Sequence, residues 1–178
     1  MSTATHIARW ILLLSCLVGL AGCRKIDPPA LTRTSTIDLV SYHSRYVTAQ
    51  GHKEGFSLWQ STEPGKDNCH LFTLYDLGTD KLKRRTVALK TCHGGFVTAP
   101  DSGSTRADWQ VWQDPVLGNC GQFIMESQGN DKYAFKTCAG RYLSAGDAGL
   151  GWEGPLQWTI VGERFELKDW EVFTVKPQ

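Results

Sequence analysis

The sequence predicts an all-β domain made of three related units. A string that starts with an apolar residue and ends with aromatic, aliphatic, hydroxyl and alanine side chains occurs at 39–49, 89–99 and 135–145. The starting residues of the three strings, Leu39, Leu89 and Phe135, lie 50 and then 46 positions apart. No apolar pattern with the helical period of 3.6 residues is found at useful length beyond Cys23. The repeat and the missing helical period together favour β-structure.

Each unit is predicted to contain four short strands. The string itself reads as strand, tight turn and strand, with Gly94-Gly95 supplying one of the turns. A third strand carries a tryptophan that we interpret as a core residue, at Trp59, Trp112 and, less clearly, Trp158. The closing strand carries a phenylalanine, at Phe72, Phe123 and Phe173.

Three units of four strands predict a β-trefoil of twelve strands. Six strands would form a short barrel, and six would form hairpins that cap one end of it. One unit alone cannot bury its apolar face, whereas three units cover one another and remove the exposed sheet edges. A β-propeller has repeats of similar length but needs at least four blades.

The first 22 residues predict a signal peptide. Arg9 precedes an apolar stretch at 10–20, which is too short to span a bilayer stably. The stretch ends in Leu20-Ala21-Gly22-Cys23, which resembles a bacterial lipobox. The resemblance implies cleavage before Cys23, a lipid on its thiol and attachment to a membrane without a transmembrane segment. By the sorting rule of enteric bacteria, the absence of Asp after Cys23 favours the outer membrane of the cell envelope.

The rest of the chain divides into a tether and one domain. Residues 23–35 contain Pro28 and Pro29 and show little apolar periodicity, so they predict a lipidated tether. Residues 36–178 form the predicted trefoil domain. Lys and Arg total 19 and Asp and Glu total 18, so no global charge drives the chain onto nucleic acid. The basic run at 81–85 is interpreted as a solvated hairpin turn.

The four cysteines after Cys23 follow the repeat and predict two disulfides. Cys69 and Cys120 lie three residues before the closing phenylalanines, and Cys92 and Cys138 lie three residues after the apolar starters. Hairpin register pairs Cys69 with Cys92 and Cys120 with Cys138, and each bridge should contribute about 3 kcal/mol. The first and last units have Tyr42 and Trp170 at the corresponding positions. We therefore expect a Trp170–Tyr42 contact to close the third seam.

A metal site is the alternative for the first cysteine pair, because Cys69-His70 and Cys92-His93 offer two cysteines and two histidines. Neighbouring strand residues point to opposite faces, so the histidines should project away from the cysteines. The second pair keeps both cysteines without a histidine, which favours disulfides over metal. His43, His52, His70 and His93 are all interpreted as exposed loop residues.

No catalytic motif is present, so the sequence predicts a protein that is not an enzyme and needs no cofactor. Nucleophile elbow, metalloprotease, phosphate-loop and dinucleotide patterns are all missing.

Two strings resemble the repeat of fascin-like β-trefoils, at 87–99 and 133–145. Trp170-Glu171-Val172-Phe173 also resembles the Trp-Glu-x-Phe closing strand of that family. The resemblance implies the fold and says little about function. Eukaryotic fascins bundle actin with several trefoils in tandem, which does not suit one exported trefoil. Ricin-type lectins rank second, because only Gln110-Val111-Trp112 matches their Gln-x-Trp motif.

The tryptophans that break the repeat are the candidate binding residues. Trp109 and Trp152 lie in loops beside Asp108 and Glu153. An exposed indole can stack on a sugar ring while a carboxylate binds its hydroxyl groups. The sequence therefore predicts a module that binds carbohydrate or another ligand of the envelope. The alternative is a protein-interaction or inhibitor module that uses the loops at 51–65 or 99–108.

Overall fold

The structure is a computed structural model that describes residues 31–51, 58–64, 69–101, 110–146 and 160–178. The described residues form twelve strands, four in each repeat. The first repeat contains β1 (Thr32–Val40), β2 (Tyr46–Ala49), β3 (Leu58–Ser61) and β4 (Leu71–Thr79). The second contains β5 (Arg85–Lys90), β6 (Phe96–Thr98), β7 (Trp112–Asp114) and β8 (Phe123–Gly129). The third contains β9 (Lys132–Lys136), β10 (Tyr142–Ala145), β11 (Ile160–Arg164) and β12 (Val172–Pro177). Short 3-10 turns at Asn119–Gly121 and Asp169–Glu171 precede β8 and β12.

The pairing of the strands confirms the predicted β-trefoil. The first and last strands of the repeats form a closed antiparallel ring in the order β1, β4, β5, β8, β9, β12 and back to β1. The two middle strands of each repeat pair as the hairpins β2–β3, β6–β7 and β10–β11. Closure leaves the barrel without a free edge.

One face of each barrel strand supplies the core. The closing phenylalanines are fully buried, and the Phe135 ring lies 6.5 Å from that of Phe123 and 6.1 Å from that of Phe173. The aliphatic residues of the three strings hold the same place, since each is the buried second residue of its strand: Val47, Val97 and Leu143.

The predicted core role of the tryptophans is wrong where the structure describes them. Trp59 and Trp112 are half-buried, because strand alternation turns their neighbours Leu58 and Val111 into the core instead. Trp59 lies opposite Thr48, and Trp112 lies opposite Thr98. The third repeat has Val161 opposite Ser144, so Val161 holds this position rather than Trp158, which lies outside the described residues.

Two further expectations concern the ends of elements. β1 begins at Thr32, inside the segment assigned to the tether, because Thr32 and Arg33 pair with Asp76 and Tyr75 of β4. The basic run is the predicted hairpin turn: Asp80 accepts hydrogen bonds from Arg84 and from the backbone N–H of Leu82. Within the described ranges, no helix is long and apolar enough to cross a membrane.

Both predicted disulfides are present, and they close two of the three seams between repeats. Cys69 is joined to Cys92, and Cys120 to Cys138, each with a Cα–Cα distance of 5.0 Å. His93 contradicts the expectation from strand alternation, since its Nε2 lies 3.5 Å from Cys69 Sγ. His93 lies in a turn between β5 and β6, where alternation does not apply.

The third seam is closed by a different aromatic contact from the one we expected. The Trp170 ring lies 5.7 Å from the ring of His43, and His43 in turn contacts Tyr42 at 5.6 Å. Tyr42 itself is 56% exposed. His43 holds the place of His93 in its repeat, so Trp170 contacts His43 in the way that Cys69 contacts His93.

Candidate functional site

Two grooves open beside the third seam, where the last repeat meets the first. The repeat-three groove has a volume of about 610 Å³ and is lined by Arg141, Phe165, Glu166, Lys168, Asp169, Trp170 and Glu171. The seam groove has a similar volume and is lined chiefly by Val40, Ser41, Tyr46, Lys132, Thr174 and Lys176. Asp169 contributes to both grooves, so the two adjoin.

The repeat-three groove presents an aromatic ring beside charged groups. Phe165 is 64% exposed, and the guanidinium of Arg141 lies 4.1 Å from the centre of its ring. This distance allows a cation–π contact, which orients the ring. Glu166 and Asp169 add exposed carboxylates at the rim, and Trp170 adds a half-buried indole. The groove therefore combines an apolar platform with hydrogen-bond donors and acceptors.

A buried carboxylate fixes the turn that carries these side chains. Glu171 is 2% exposed and accepts a 2.6 Å hydrogen bond from Ser144 Oγ and a 2.9 Å bond from the Lys168 backbone N–H. Both carboxylate oxygens are therefore occupied, as burial of a carboxylate requires. Glu171 ties the 3-10 turn to β10 and is a positioning residue rather than a ligand-binding group.

Comparison of the repeats shows that packing does not require the aromatic groups of this groove. Counting back from the closing phenylalanine, Phe165 stands where the other repeats have Pro64 and Pro115. Trp170 likewise stands where they have Cys69 and Cys120. The signal that finds this site is thus a departure from the repeat in the closing turn, and our sequence analysis did not use it at Phe165.

Register explains why polar groups line the seam groove. Lys132 pairs with Thr174, Thr174 with Val40, and Val40 with Tyr46, across β9, β12, β1 and β2. Paired residues of antiparallel strands point to the same face. This face lies outside the barrel, and Lys176 lies on it two residues beyond Thr174.

Asp38 and His70 form a buried polar pair beside the seam groove. His70 Nε2 lies 3.8 Å from Asp38 Oδ1, and Gln178 donates a 2.7 Å hydrogen bond to Asp38 Oδ2. Burial raises the pKa of Asp38, while His70, Lys176 and Gln178 oppose the increase. The expectation that His70 is an exposed loop residue is therefore wrong, since it is 9% exposed.

The four residues of the alternative metal site do not all lie together in the structure. His93 lies beside the Cys69–Cys92 bridge, whereas His70 faces Asp38. Both sulfur atoms are joined in a disulfide, and metal ligation by cysteine needs the thiolate.

The predicted binding residues Trp109, Trp152, Asp108 and Glu153 lie outside the described residues, as does Cys23. The described residues that flank their loops do come together. Gln110 bridges to Val161, and the Val111 N–H donates a 3.2 Å hydrogen bond to Ile160 O.

Comparison with models of protein families gives no match, and comparison with curated proteins gives none either. Similar solved structures include ThreeFoil, a designed 3-fold symmetric protein, with a TM-score of 0.61, 17% identity and coverage of 80% of this chain and 99% of that chain. The BEL β-trefoil has a TM-score of 0.58, 14% identity and coverage of 85% and 99%. SeviL, solved bound to asialo-GM1 saccharide, has a TM-score of 0.55, 10% identity and coverage of 82% and 98%. These likenesses show the β-trefoil fold.

Proposed function

We propose that this protein is a lipid-anchored, non-enzymatic binding module of the bacterial cell envelope whose ligand is a carbohydrate. The observation that carries the proposal is the repeat-three groove, where exposed Phe165 lies among Arg141, Glu166 and Asp169. The fold does not require the exposed ring, since the other two repeats have proline at the position of Phe165.

The groove suits a sugar for physical reasons. The C–H groups on one face of a pyranose stack on an aromatic ring, and its hydroxyl groups need both donors and acceptors around them. Arg141 supplies donors, and the two carboxylates supply acceptors. One stacked ring contributes only about 1 kcal/mol beyond its buried area, so a single site binds weakly and several copies on a membrane raise the avidity.

Two further facts support the same class of ligand. SeviL, a trefoil of similar structure, was solved with a saccharide bound. The proposed anchor at Cys23 would hold the domain at a surface that carries polysaccharide. The proposal includes cleavage after Gly22 and attachment to the outer membrane. Trp109 and Trp152, with Asp108 and Glu153, stay predicted ligand residues.

The anchor has its own test, which does not depend on the ligand. Cys23→Ser should yield soluble or uncleaved protein that does not take up labelled fatty acid during growth. Incorporation of label at wild-type levels into this variant would exclude Cys23 as the lipidated residue.

A glycan array tests the ligand class. The detergent-solubilised full chain should be displayed as clusters, so that weak single-site binding becomes measurable. Phe165→Ala should reduce binding at least fivefold, because the stacking platform is lost. Val116→Ala is the matched control, since Val116 is an exposed apolar residue in the corresponding turn of the second repeat.

Three outcomes separate the alternatives. Binding that survives Phe165→Ala but is lost in Trp109→Ala or Trp152→Ala would move the site to those loops. Binding unchanged in all three variants would exclude both sites. No binding to any glycan, together with a stable protein partner recovered by crosslinking, would favour the protein-interaction module.

A further inference from the structure

We infer that the seam groove binds the acidic group of a saccharide, a carboxylate or a phosphate, between Lys132 and Lys176. That the ligand is a saccharide rests on the proposed function. That it carries an acidic group rests on the seam groove alone. Three observations carry it: a missing lysine, two cationic side chains on one face, and a position next to the repeat-three groove.

The seam groove is open because the first repeat lacks a lysine that the other repeats have. Lys90 pairs with Phe96, and Lys136 pairs with Tyr142, in the same register in which Val40 pairs with Tyr46. The ammonium groups of the two lysines lie 5.3 and 5.1 Å from the ring centres of their partners. Val40 is too short to cover the Tyr46 ring in this way, so the space stays open in the first repeat.

A lysine from the neighbouring repeat faces this space. Lys176 Nζ lies 5.9 Å from the centre of the Tyr46 ring. Lys132 lies on the same face, opposite Thr174 and two residues from Lys176 in register, a spacing of about 7 Å along the strand. Two ammonium groups at this spacing can both contact one carboxylate or phosphate group of a ligand. The protein's own carboxylate at this groove is that of Asp169.

The turn hydroxyl group of the first repeat, on Ser41, lacks the hydrogen bond that its counterparts make. Ser41 is 4% exposed, and its Oγ makes no hydrogen bond. Its counterparts are both engaged: Thr91 donates to Gln113 Oε1, and Thr137 accepts from the Arg141 N–H at 3.3 Å. Gln60 Oε1, which stands where Gln113 Oε1 stands, makes no such bond with Ser41. Ser41 Oγ and Gln60 Oε1 are both without a hydrogen bond, so the first repeat lacks the polar contact that joins the turn to the hairpin in the second repeat.

The two grooves are neighbours, since Asp169 lines both of them. A saccharide that stacks on Phe165 can therefore extend toward Lys132 and Lys176. This geometry assigns the neutral ring to the repeat-three groove and the acidic substituent to the seam groove, so the preferred ligand is an acidic saccharide rather than a neutral one.

The test compares acidic and neutral forms of one sugar. Ligand-observed NMR titrations of the full chain in detergent should use glucose, glucuronic acid, glucose 6-phosphate and inorganic phosphate at low salt. We expect either acidic sugar to bind about fivefold more tightly than glucose, as two solvent-accessible ion pairs allow. The preference should fall as salt is added, because exposed charges are screened.

Matched lysine variants locate the acidic group. Lys132→Gln with Lys176→Gln should abolish the preference. Lys90→Gln with Lys136→Gln removes the two lysines that cover Phe96 and Tyr142 in the other repeats. This control should leave the preference unchanged. A preference that survives the first pair, or its absence in the wild type, would overturn the inference.

The same titrations distinguish this inference from the proposed function. Inorganic phosphate that binds as tightly as glucose 6-phosphate would contradict a saccharide ligand of the seam groove. Neutral glycan binding that depends on Phe165, combined with no acidic preference, would overturn only the seam-groove inference. Acidic preference that depends on Lys132 and Lys176 while Phe165→Ala has no effect would overturn only the role of the repeat-three groove.

Discussion

The three seams between repeats are closed in two different ways. Cys69–Cys92 joins the first repeat to the second, and Cys120–Cys138 joins the second to the third. The third repeat meets the first through Trp170 and His43 instead. Both described grooves lie beside this third seam. The fold can thus be held by two covalent seams while side chains at the remaining seam are free to vary.

The same contrast is visible at single positions. Asp38 stands where the other repeats have the fully buried Ala88 and Ala134, as the shared offset from the apolar starters shows. Val40 replaces a lysine, and Phe165 replaces a proline. Each of these departures from the repeat lies at or beside the third seam.

The largest expected effect is the loss of the covalent seams. Replacing either cysteine pair by alanine should lower the free energy of unfolding by about 3 kcal/mol, because each bridge restricts the unfolded chain. Urea unfolding monitored by circular dichroism measures the change. A loss below about 1 kcal/mol for both pairs would show that the noncovalent contacts alone hold the seams.

Removal of the indole at the third seam should have a smaller effect. Trp170→Ala should cost about 2 kcal/mol, because a half-buried ring and its contact with His43 are lost. Tyr42→Ala is the control and should cost less than about 0.5 kcal/mol, since Tyr42 is largely exposed. Equal losses in the two variants would favour the Trp170–Tyr42 contact that we first expected.

The two disulfides should differ in how fast they are reduced. Attack by dithiothreitol on exposed Cys92 releases the Cys69 thiolate beside His93, and an imidazole N–H can donate a hydrogen bond to a thiolate. The second bridge has Ala139 in place of this histidine. We expect the first bridge to be reduced several-fold faster, and His93→Ala to remove the difference. Mass spectrometry of alkylated peptides gives both rates, and equal rates in the wild type would contradict this role of His93.

Asp38 should produce the smallest change, visible as a pH dependence. Its folded-state pKa is raised above the ordinary value of 3.8 because burial disfavours the carboxylate. Its stabilising contribution is therefore complete below this value and is lost as the pH rises through the raised pKa. Asp38→Asn stays neutral, so its stability relative to the wild type should increase with pH in that window and then level off. A difference that does not change with pH would show that Asp38 titrates normally.

The repeat made the architecture predictable, whereas the sites depended on departures from it. The three strings predicted the hairpins. The spacing of the cysteines predicted both disulfides, because strand register determines which residues face each other. The third strand of the last repeat was not clear from Trp158, because the spacing inside this repeat differs, and only strand pairing shows that Val161 lies opposite Ser144. Phe165 and Val40 carry a readable signal as replacements of repeated prolines and lysines. The pairing of His70 with Asp38 joins residues far apart in sequence, so no local pattern could reveal it.

Hydrogen–deuterium exchange of the full chain, with and without the tightest glycan from the array, tests most directly whether ligand binding belongs to the open seam. We predict added protection in peptides that cover 165–171 and 172–176, with no change in the corresponding turn at 115–121. Protection confined to the turn at 115–121, to the bridged seams around Cys92 and Cys138, or to the loops that carry Trp109 and Trp152 would contradict the account.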